Sequence, residues 1–281
     1  MDPDSSLETP AIGQFILDPE RLQAIAERNR QDYSRADPFP HIVLDDLFSE
    51  EAIERVRQEV PSPDEIRWIE FDDARGKKLA SKAETQLGAA TRNFLYQMNS
   101  SVFIEFLETL TGIEGLIPDP HFWDGGLHQI VRGGFLKIHA DFNRHPKLKL
   151  DRRLNLLVYL NRDWREEWGG HLELWDRKMA ECRAKILPIF GRCVIFNTTD
   201  FSYHGHPDPL GCPNSESRKS VAVYYYSNGR PHDEIGGDHY ATLFRKRPGE
   251  KRFLNTAMLA QNLLPPIVMS MVSSLKQRLE R

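Results

Sequence analysis

Gly133-Gly134-Phe135-Leu136-Lys137-Ile138-His139-Ala140-Asp141-Phe142 is the stretch on which the fold turns. A glycine pair followed by a short apolar run predicts a tight turn that enters a strand. Residues i and i+2 share a face of a strand, so His139 and Asp141 leave its end on the same side. Similar runs recur to either side. LHQIV (127–131) precedes it; LNLLVYLN (154–161), GGHLELW (169–175), AKILPIF (184–190), CVIFN (193–197) and SVAVYYYS (220–227) follow. Gly, Asn, Asp and Pro separate them. Seven short strands at such intervals predict a sandwich or barrel.

Upstream, the texture is helical. PERLQAIAERNRQ (19–31) has helical periodicity, and His41–Leu44 is a β-branched run after a proline, which predicts a strand. Ser49, followed by Glu50 and Glu51, predicts an N-cap with acidic residues on the helix dipole. That helix should stop near Val60, before Pro61 and Pro63. Residues 66–84 read as polar and irregular, with Lys77 and Lys78 together. Between residues 85 and 113, Phe94, Leu95, Met98, Val102, Phe103, Phe106, Leu107 and Leu110 recur at helical steps and read as a core-facing stripe. A polar loop and a closing helix, about Leu254 to Arg281, end the chain. The expected fold class is α+β: a β core flanked by N-terminal helices and a C-terminal helix. The expected divisions are a lead-in with a helix (1–37), the main domain (38–228, its β core about 118–228) and an extension (229–281).

Composition narrows the function. With 281 residues, the chain is one large domain or a decorated one. Lys+Arg 37 against Asp+Glu 41 forces no basic face, which argues against a nucleic-acid partner. Cys182, Cys193 and Cys212 form no CxxC, which excludes a disulfide scaffold and argues against a thiolate zinc site. A metal, if present, falls to the ten histidines. MDPDSSLETP (1–10) lacks the basic-then-apolar pattern of a signal peptide, and LLPPIVMSMV (263–272) is short and carries two prolines. The expectation is a cytoplasmic protein without a membrane partner; oligomeric state stays open.

A second histidine cluster, FSYHGHP (201–207), follows the CVIFN strand. Two imidazoles and one carboxylate on a β scaffold make the facial triad of non-haem Fe(II) enzymes, which leaves positions open for a bidentate cosubstrate and O2. H-x-D alone is a weak signal, and a polar strand-end histidine is its plain alternative. Arg218 and Ser220 share a face of the last strand, and a guanidinium beside a hydroxyl is a ready receiver for a carboxylate. An isolated arginine there would more often cap a strand at the surface. His204 and His206 share a face, so spacing does not choose between them. His145, His171, His232 and His239 lack partners at useful spacing, and Tyr224, Tyr225 and Tyr226 read as sheet and core residues.

The order H-x-D, Y-L-N-x-x-W, G-G-x-L, H, R-x-S resembles the Fe(II)/2-oxoglutarate-dependent oxygenases, in particular the prolyl 4-hydroxylase-like branch. It is carried by HADFN (139–143), LNLLVYLNRDW (154–164), GGHLELW (169–175), FSYHGHP (201–207) and RKSVAVYYY (218–226). PFPHIVLDDLFSEE (38–51) also looks like the entry strand and helix of that group. The resemblance implies a double-stranded β-helix (jelly-roll) core. It implies His139, Asp141 and His204 as catalytic metal ligands for Fe(II), favouring His204 over His206. It implies Arg218, Tyr159 and Ser220 at the distal carboxylate of 2-oxoglutarate, and Leu172 in the apolar wall. Many relatives carry a tyrosine before the H-x-D histidine; here that contact would be lost, or replaced by Gln129 or His128. The loop between His204 and Arg218 is long and could shape the substrate entrance.

The implied reaction is hydroxylation of an unactivated C–H bond with O2, coupled to decarboxylation of 2-oxoglutarate to succinate and CO2; ascorbate can join as a reductant. Relatives that halogenate carry a small residue where this chain has Asp141, so the carboxylate argues for hydroxylation. The substrate would be a prolyl residue or an amino-acid-like or natural-product small molecule. Two other classes stay open: a cupin-like metal enzyme without 2-oxoglutarate, and a non-catalytic binding or sensing module. Lys137, Arg144, Lys147, Lys149, Arg152 and Arg153 could draw in an acidic substrate, but a charge run of this kind reads first as a solvated loop.

Overall fold

A computed structural model describes residues 16–250, and every element below belongs to the unit Met1–Pro248. The closing helix expected from Leu254 and the first fifteen residues lie outside the described residues.

Among the described residues, four α-helices are interleaved with the first three strands and come before the rest of the sheet. In α1 (Pro19–Arg35), Asp18 caps the start by accepting from the Arg21 amide, and Pro19 occupies the first turn. In α2 (Glu50–Gln58), Ser49 accepts from the Ala52 amide, as its position implied. The helical stretch after residue 85 is two helices. α3 (Ala89–Met98) ends at Asn99, and Ser100 caps α4 (Ser101–Thr111), which Gly112 closes in a left-handed turn.

The strands are β1 (His41–Leu44), β2 (Ile69–Asp73), β3 (Gly76–Ala80), β4 (Ile117–Pro118), β5 (Gly126–Val131), β6 (Phe135–Ala140), β7 (Asp151–Tyr159), β8 (Leu172–Trp175), β9 (Cys182–Ile186), β10 (Cys193–Asn197), β11 (Tyr203–His206), β12 (Ser217–Ser227) and β13 (Leu243–Phe244). They form one antiparallel sheet: ten run in the order β1-β10-β7-β12-β5-β3-β6-β11-β8-β9, and β2, β4 and β13 pair off this path with β3, β12 and β6. β3 pairs with β5 through Leu79 and Ala80 and with β6 through Gly76 and Lys77. The path therefore folds over on itself as a jelly roll, with β1, β10, β7, β12 and β5 facing β6, β11, β8 and β9.

Period-2 parity explains why the first half reads as continuous apolar runs. In β7, Leu154, Leu156 and Val158 pack outward into the core shared with the helices, while Tyr159 packs inward. In β12, Val221, Val223 and Tyr225 go outward; Ala222 and Tyr224 go inward. A strand covered on both faces has no need to alternate. The outward core is dense with aromatic rings: Phe48 meets Phe94 at 4.9 Å, and Phe103 meets Phe106 at 5.2 Å. Truncating a buried phenylalanine such as Phe103 costs ~3–5 kcal/mol.

Residues 66–84 correct the expectation of irregular chain. They hold the β2–β3 hairpin, whose β2 is exposed along its whole length. β13 pairs with β6 at Ala140 and His139, so part of the expected extension runs along the triad strand. No helix among the described residues is long and apolar enough to cross a membrane.

Candidate active site

β6 and β11 are antiparallel neighbours, and His139 and His204 are direct register partners across that pair. Cross-strand pairing thus closes a separation of 65 positions in sequence. The two rings lie 4.4 Å apart between centroids. Asp141 follows the end of β6; its Oδ1 is 3.4 Å from His139 Nε2 and its Oδ2 3.5 Å from His204 Nε2. One ligand atom from each of the three residues lies within 4.8 Å of the others, and all three side chains are buried. This set could hold a metal ion.

The rings are oriented for that task. His139 Nδ1 donates to the Lys137 carbonyl at 2.7 Å, and His204 Nδ1 donates to the Ser202 carbonyl at 2.9 Å. A carbonyl only accepts, so each Nδ1 carries the proton and each Nε2 presents a lone pair. Burial, then the neighbouring His139, lowers His204 to about 4, which keeps it neutral. Gly205 permits the strand contact behind the site: a Cβ there would meet the Leu136 carbonyl oxygen at 2.8 Å.

Asp141 is held from behind. Its Oδ2 accepts from Arg152 Nη2 at 3.0 Å and from Asn155 Nδ2 at 2.6 Å. Arg152 also donates to Asn155 Oδ1, and its guanidinium lies over the Tyr224 and Phe142 rings at 3.6 and 4.4 Å. Burial would raise the Asp141 carboxyl, but Arg152 and the two imidazoles outweigh it and hold the group well below the usual carboxylate range.

A cavity of about 280 Å³ joins this triad to a second polar group. Its walls include Arg218 and Ser220 from β12, His128 and Ile130 from β5, Leu157 from β7, Leu172 from β8, Phe196 from β10 and His206 from β11. Arg218 is buried. Its Nε donates to the Gly170 carbonyl at 2.8 Å, its Nη2 to Tyr159 Oη at 3.2 Å. Among the described residues, no carboxylate lies within ion-pair reach of it. Gly170 takes a left-handed φ of 74°, and a Cβ there would meet Arg218 Cδ at 3.0 Å, so the carbonyl can approach the guanidinium closely. Tyr159 is fully buried, and burial raises its hydroxyl pKa above the ordinary value, so it stays a neutral O–H.

Each expected residue now has a place. His139, Asp141 and His204 converge; Arg218, Ser220 and Leu172 line the same cavity, with the Tyr159 hydroxyl on Arg218. His206 lies outside the metal-competent group but on the cavity wall. Gln129 is a correction. β5 turns His128 and Ile130 into the cavity, so Gln129 points the other way and donates to Ser217 Oγ at 2.8 Å. The loop after His206 is a second one. Its Leu210 exchanges backbone bonds with Gly133 and Gly134, and no residue of 207–217 lines the cavity. The basic cluster is neither a solvated loop nor a substrate lure at its centre: Arg152 clamps Asp141, and Arg153 donates to Ser227 and Glu234.

Sequence reasoning missed Arg152 and Asn155 behind the triad, Arg75 and Lys78 from the hairpin, and Phe244 from β13, whose ring is 5.5 Å from that of His139. Asn155 carried a signal: it is an inward polar residue, four before Tyr159, in an otherwise apolar run.

The family model described as the 2OG-Fe(II) oxygenase superfamily matches residues 125–226. A prolyl-4-hydroxylase from Pseudomonas putida aligns with a TM-score of 0.52 at 15% identity, covering 74% of this chain and 100% of that one. A prolyl 4-hydroxylase from Phytophthora capsici gives 0.49 at 21% identity, covering 78% of this chain and 69% of that one. A prolyl hydroxylase from Trichoplax adhaerens, in complex with a hypoxia inducible factor peptide fragment, gives 0.49 at 16% identity, covering 74% and 90%. At 15% identity the likeness to the Pseudomonas putida protein is one of fold. The matched segment contains β5 to β11, nearly all of β12, and the triad with Arg218; over these residues the chain resembles the 2OG-Fe(II) oxygenase superfamily.

Proposed function

We propose that this protein is a 2-oxoglutarate-dependent hydroxylase in which His139, Asp141 and His204 hold Fe(II). In this reading Arg218, Tyr159 and Ser220 receive the distal carboxylate of 2-oxoglutarate, and Leu172 forms part of the apolar wall. One observation carries it: a metal-competent triad and a buried guanidinium without a carboxylate partner among the described residues share a single cavity. A buried cation is costly unless paired, so a ligand anion is the natural partner for Arg218. The donor set fits the group, since imidazole and carboxylate suit Fe(II) and no thiolate is present.

When bound, Fe(II) with 2-oxoglutarate and O2 supplies the oxidising chemistry that hydroxylates an unactivated C–H bond and releases succinate and CO2. The chain's own residues prepare for this. The two Nδ1–H bonds aim both Nε2 atoms at one point. Arg152 and Asn155 occupy Asp141 Oδ2 and leave Oδ1 without a hydrogen-bond donor. Arg218 and the Tyr159 hydroxyl offer two donors to a carboxylate in a fork geometry. Leu136, Leu157, Leu172, Phe196 and Phe244 keep water from the space between.

Phe71, Arg75 and Lys78 of the β2–β3 hairpin and Ala241, Thr242 and Phe244 line the cavity, and in this reading the substrate enters between them. Its class is a prolyl residue in a peptide or a free amino-acid-like or natural-product molecule, with ascorbate as accessory reductant. The test is succinate release by the Fe(II)-loaded protein, with and without candidate substrates, and a mass gain of one oxygen on the true one. Asp141→Ala is expected to abolish iron-dependent turnover. Full activity in that variant contradicts the triad.

A further inference from the structure

His206 differs from the other imidazoles of the cavity. It is 4% exposed, lines the cavity, and has no hydrogen-bond partner on either ring nitrogen. His139 and His204 each hold a carbonyl through Nδ1, and His128 holds the Asp124 carbonyl through Nε2 at 3.1 Å. Native interiors avoid idle buried polar atoms, and a fully idle imidazole on a ligand-sized cavity wall points to a group that arrives from outside.

Its position says which group. β11 places His206 two residues beyond His204; a register shift lies between them, and both line the cavity. It lines the same cavity as Arg218 and the triad. It is not among the residues that converge on the metal position. A dicarboxylate that reached Arg218 in this cavity would share the space with this ring. An imidazole carries at least one N–H to give, and neither ring nitrogen has a partner among the described residues. A carboxylate, which only accepts, matches the N–H.

We infer that His206 is a cosubstrate-binding residue, donating a ring N–H to the same distal carboxylate that Arg218 receives. This rests on the cosubstrate reading above. It gives the carboxylate a donor contributed by the triad's own strand, so the cosubstrate's two ends are tied through β11.

The experiment is anaerobic calorimetric titration of the Fe(II)-loaded protein with 2-oxoglutarate and, separately, with oxalate, which chelates a metal but has no distal carboxylate. Iron content is measured alongside. His206→Ala and His206→Phe are expected to weaken 2-oxoglutarate binding about tenfold or more, the loss of one hydrogen bond to a charged group. Oxalate binding and iron content should not change, and His206→Gln, which keeps an N–H donor, should restore most of the loss. Unchanged 2-oxoglutarate affinity in His206→Ala overturns the inference. So does an equal loss for both ligands together with iron, which makes His206 a support of the metal position. If the wild-type protein itself binds 2-oxoglutarate no better than oxalate, the cosubstrate reading fails, and the inference with it.

Discussion

The two sides of the cavity treat buried charge in opposite ways. On the triad side, Asp141 is surrounded: a guanidinium and an amide hold one oxygen, and an imidazole lies near each. On the other side, Arg218 meets only a carbonyl and a hydroxyl, and His206 meets nothing. One side is built around an anion the chain supplies. The other is built to receive an anion it does not supply. The contrast separates residues that keep the site folded from residues that keep it ready.

The largest expected effect falls on the surrounded side. Arg152→Ala strips Asp141 of its main counter-ion and removes a guanidinium packed on two rings. Breaking a buried pair in this way costs ~3–5 kcal/mol. Metal affinity should fall about 10–100-fold, as for other residues that orient a ligand from behind. Urea unfolding and iron titration measure both. A variant as stable as wild type would show that Asp141 does not depend on Arg152, and the contrast would break.

That dependence marks the limit of what the sequence discloses. The H-x-D pair was legible because strand parity alone puts His139 and Asp141 on one side. Asp-Arg-Arg at 151–153 looked like a surface charge run, yet a register shift between Tyr225 and Tyr226 sets Arg152 opposite Tyr226 and buries it. Gln129 and His128 differ by one position, and a one-residue change of parity swaps the faces. The hairpin of residues 69–80 was illegible because β2 buries neither face, so no alternation marks it. The β core was legible because its runs are short, apolar and evenly punctuated.

Acid sharpens the comparison next. Burial first, then nearby charges, lowers His128 to about 3 and His204 to about 4, and pushes His206 well below the ordinary range. Below about pH 6.5 the unfolded chain takes up these protons and the folded chain does not, so stability falls as the pH drops from there towards the folded values. Each histidine contributes ~1.4 kcal/mol per pH unit in that window. Asp141 works in the same direction at lower pH: its depressed pKa stabilises the fold above about 3.9, and this is lost as the pH falls through the folded value. The metal-free protein should therefore lose Tm steadily from pH 7 to pH 5, and His206→Gln should make the slope shallower. A flat profile would mean that these rings are already charged or exposed in the folded state.

The most direct measurement uses one variant on the waiting side, Arg218→Met, compared with wild type. Two quantities are read: the Tm of the metal-free protein, and the affinity of the Fe(II)-loaded protein for 2-oxoglutarate under anaerobic conditions. Removing a buried cation that has no counter-ion should leave the Tm unchanged or raise it, while 2-oxoglutarate binding falls about tenfold or more. A large loss of Tm with unchanged 2-oxoglutarate binding would contradict the account. It would make Arg218 a structural residue and the cavity that of a metal enzyme without this cosubstrate.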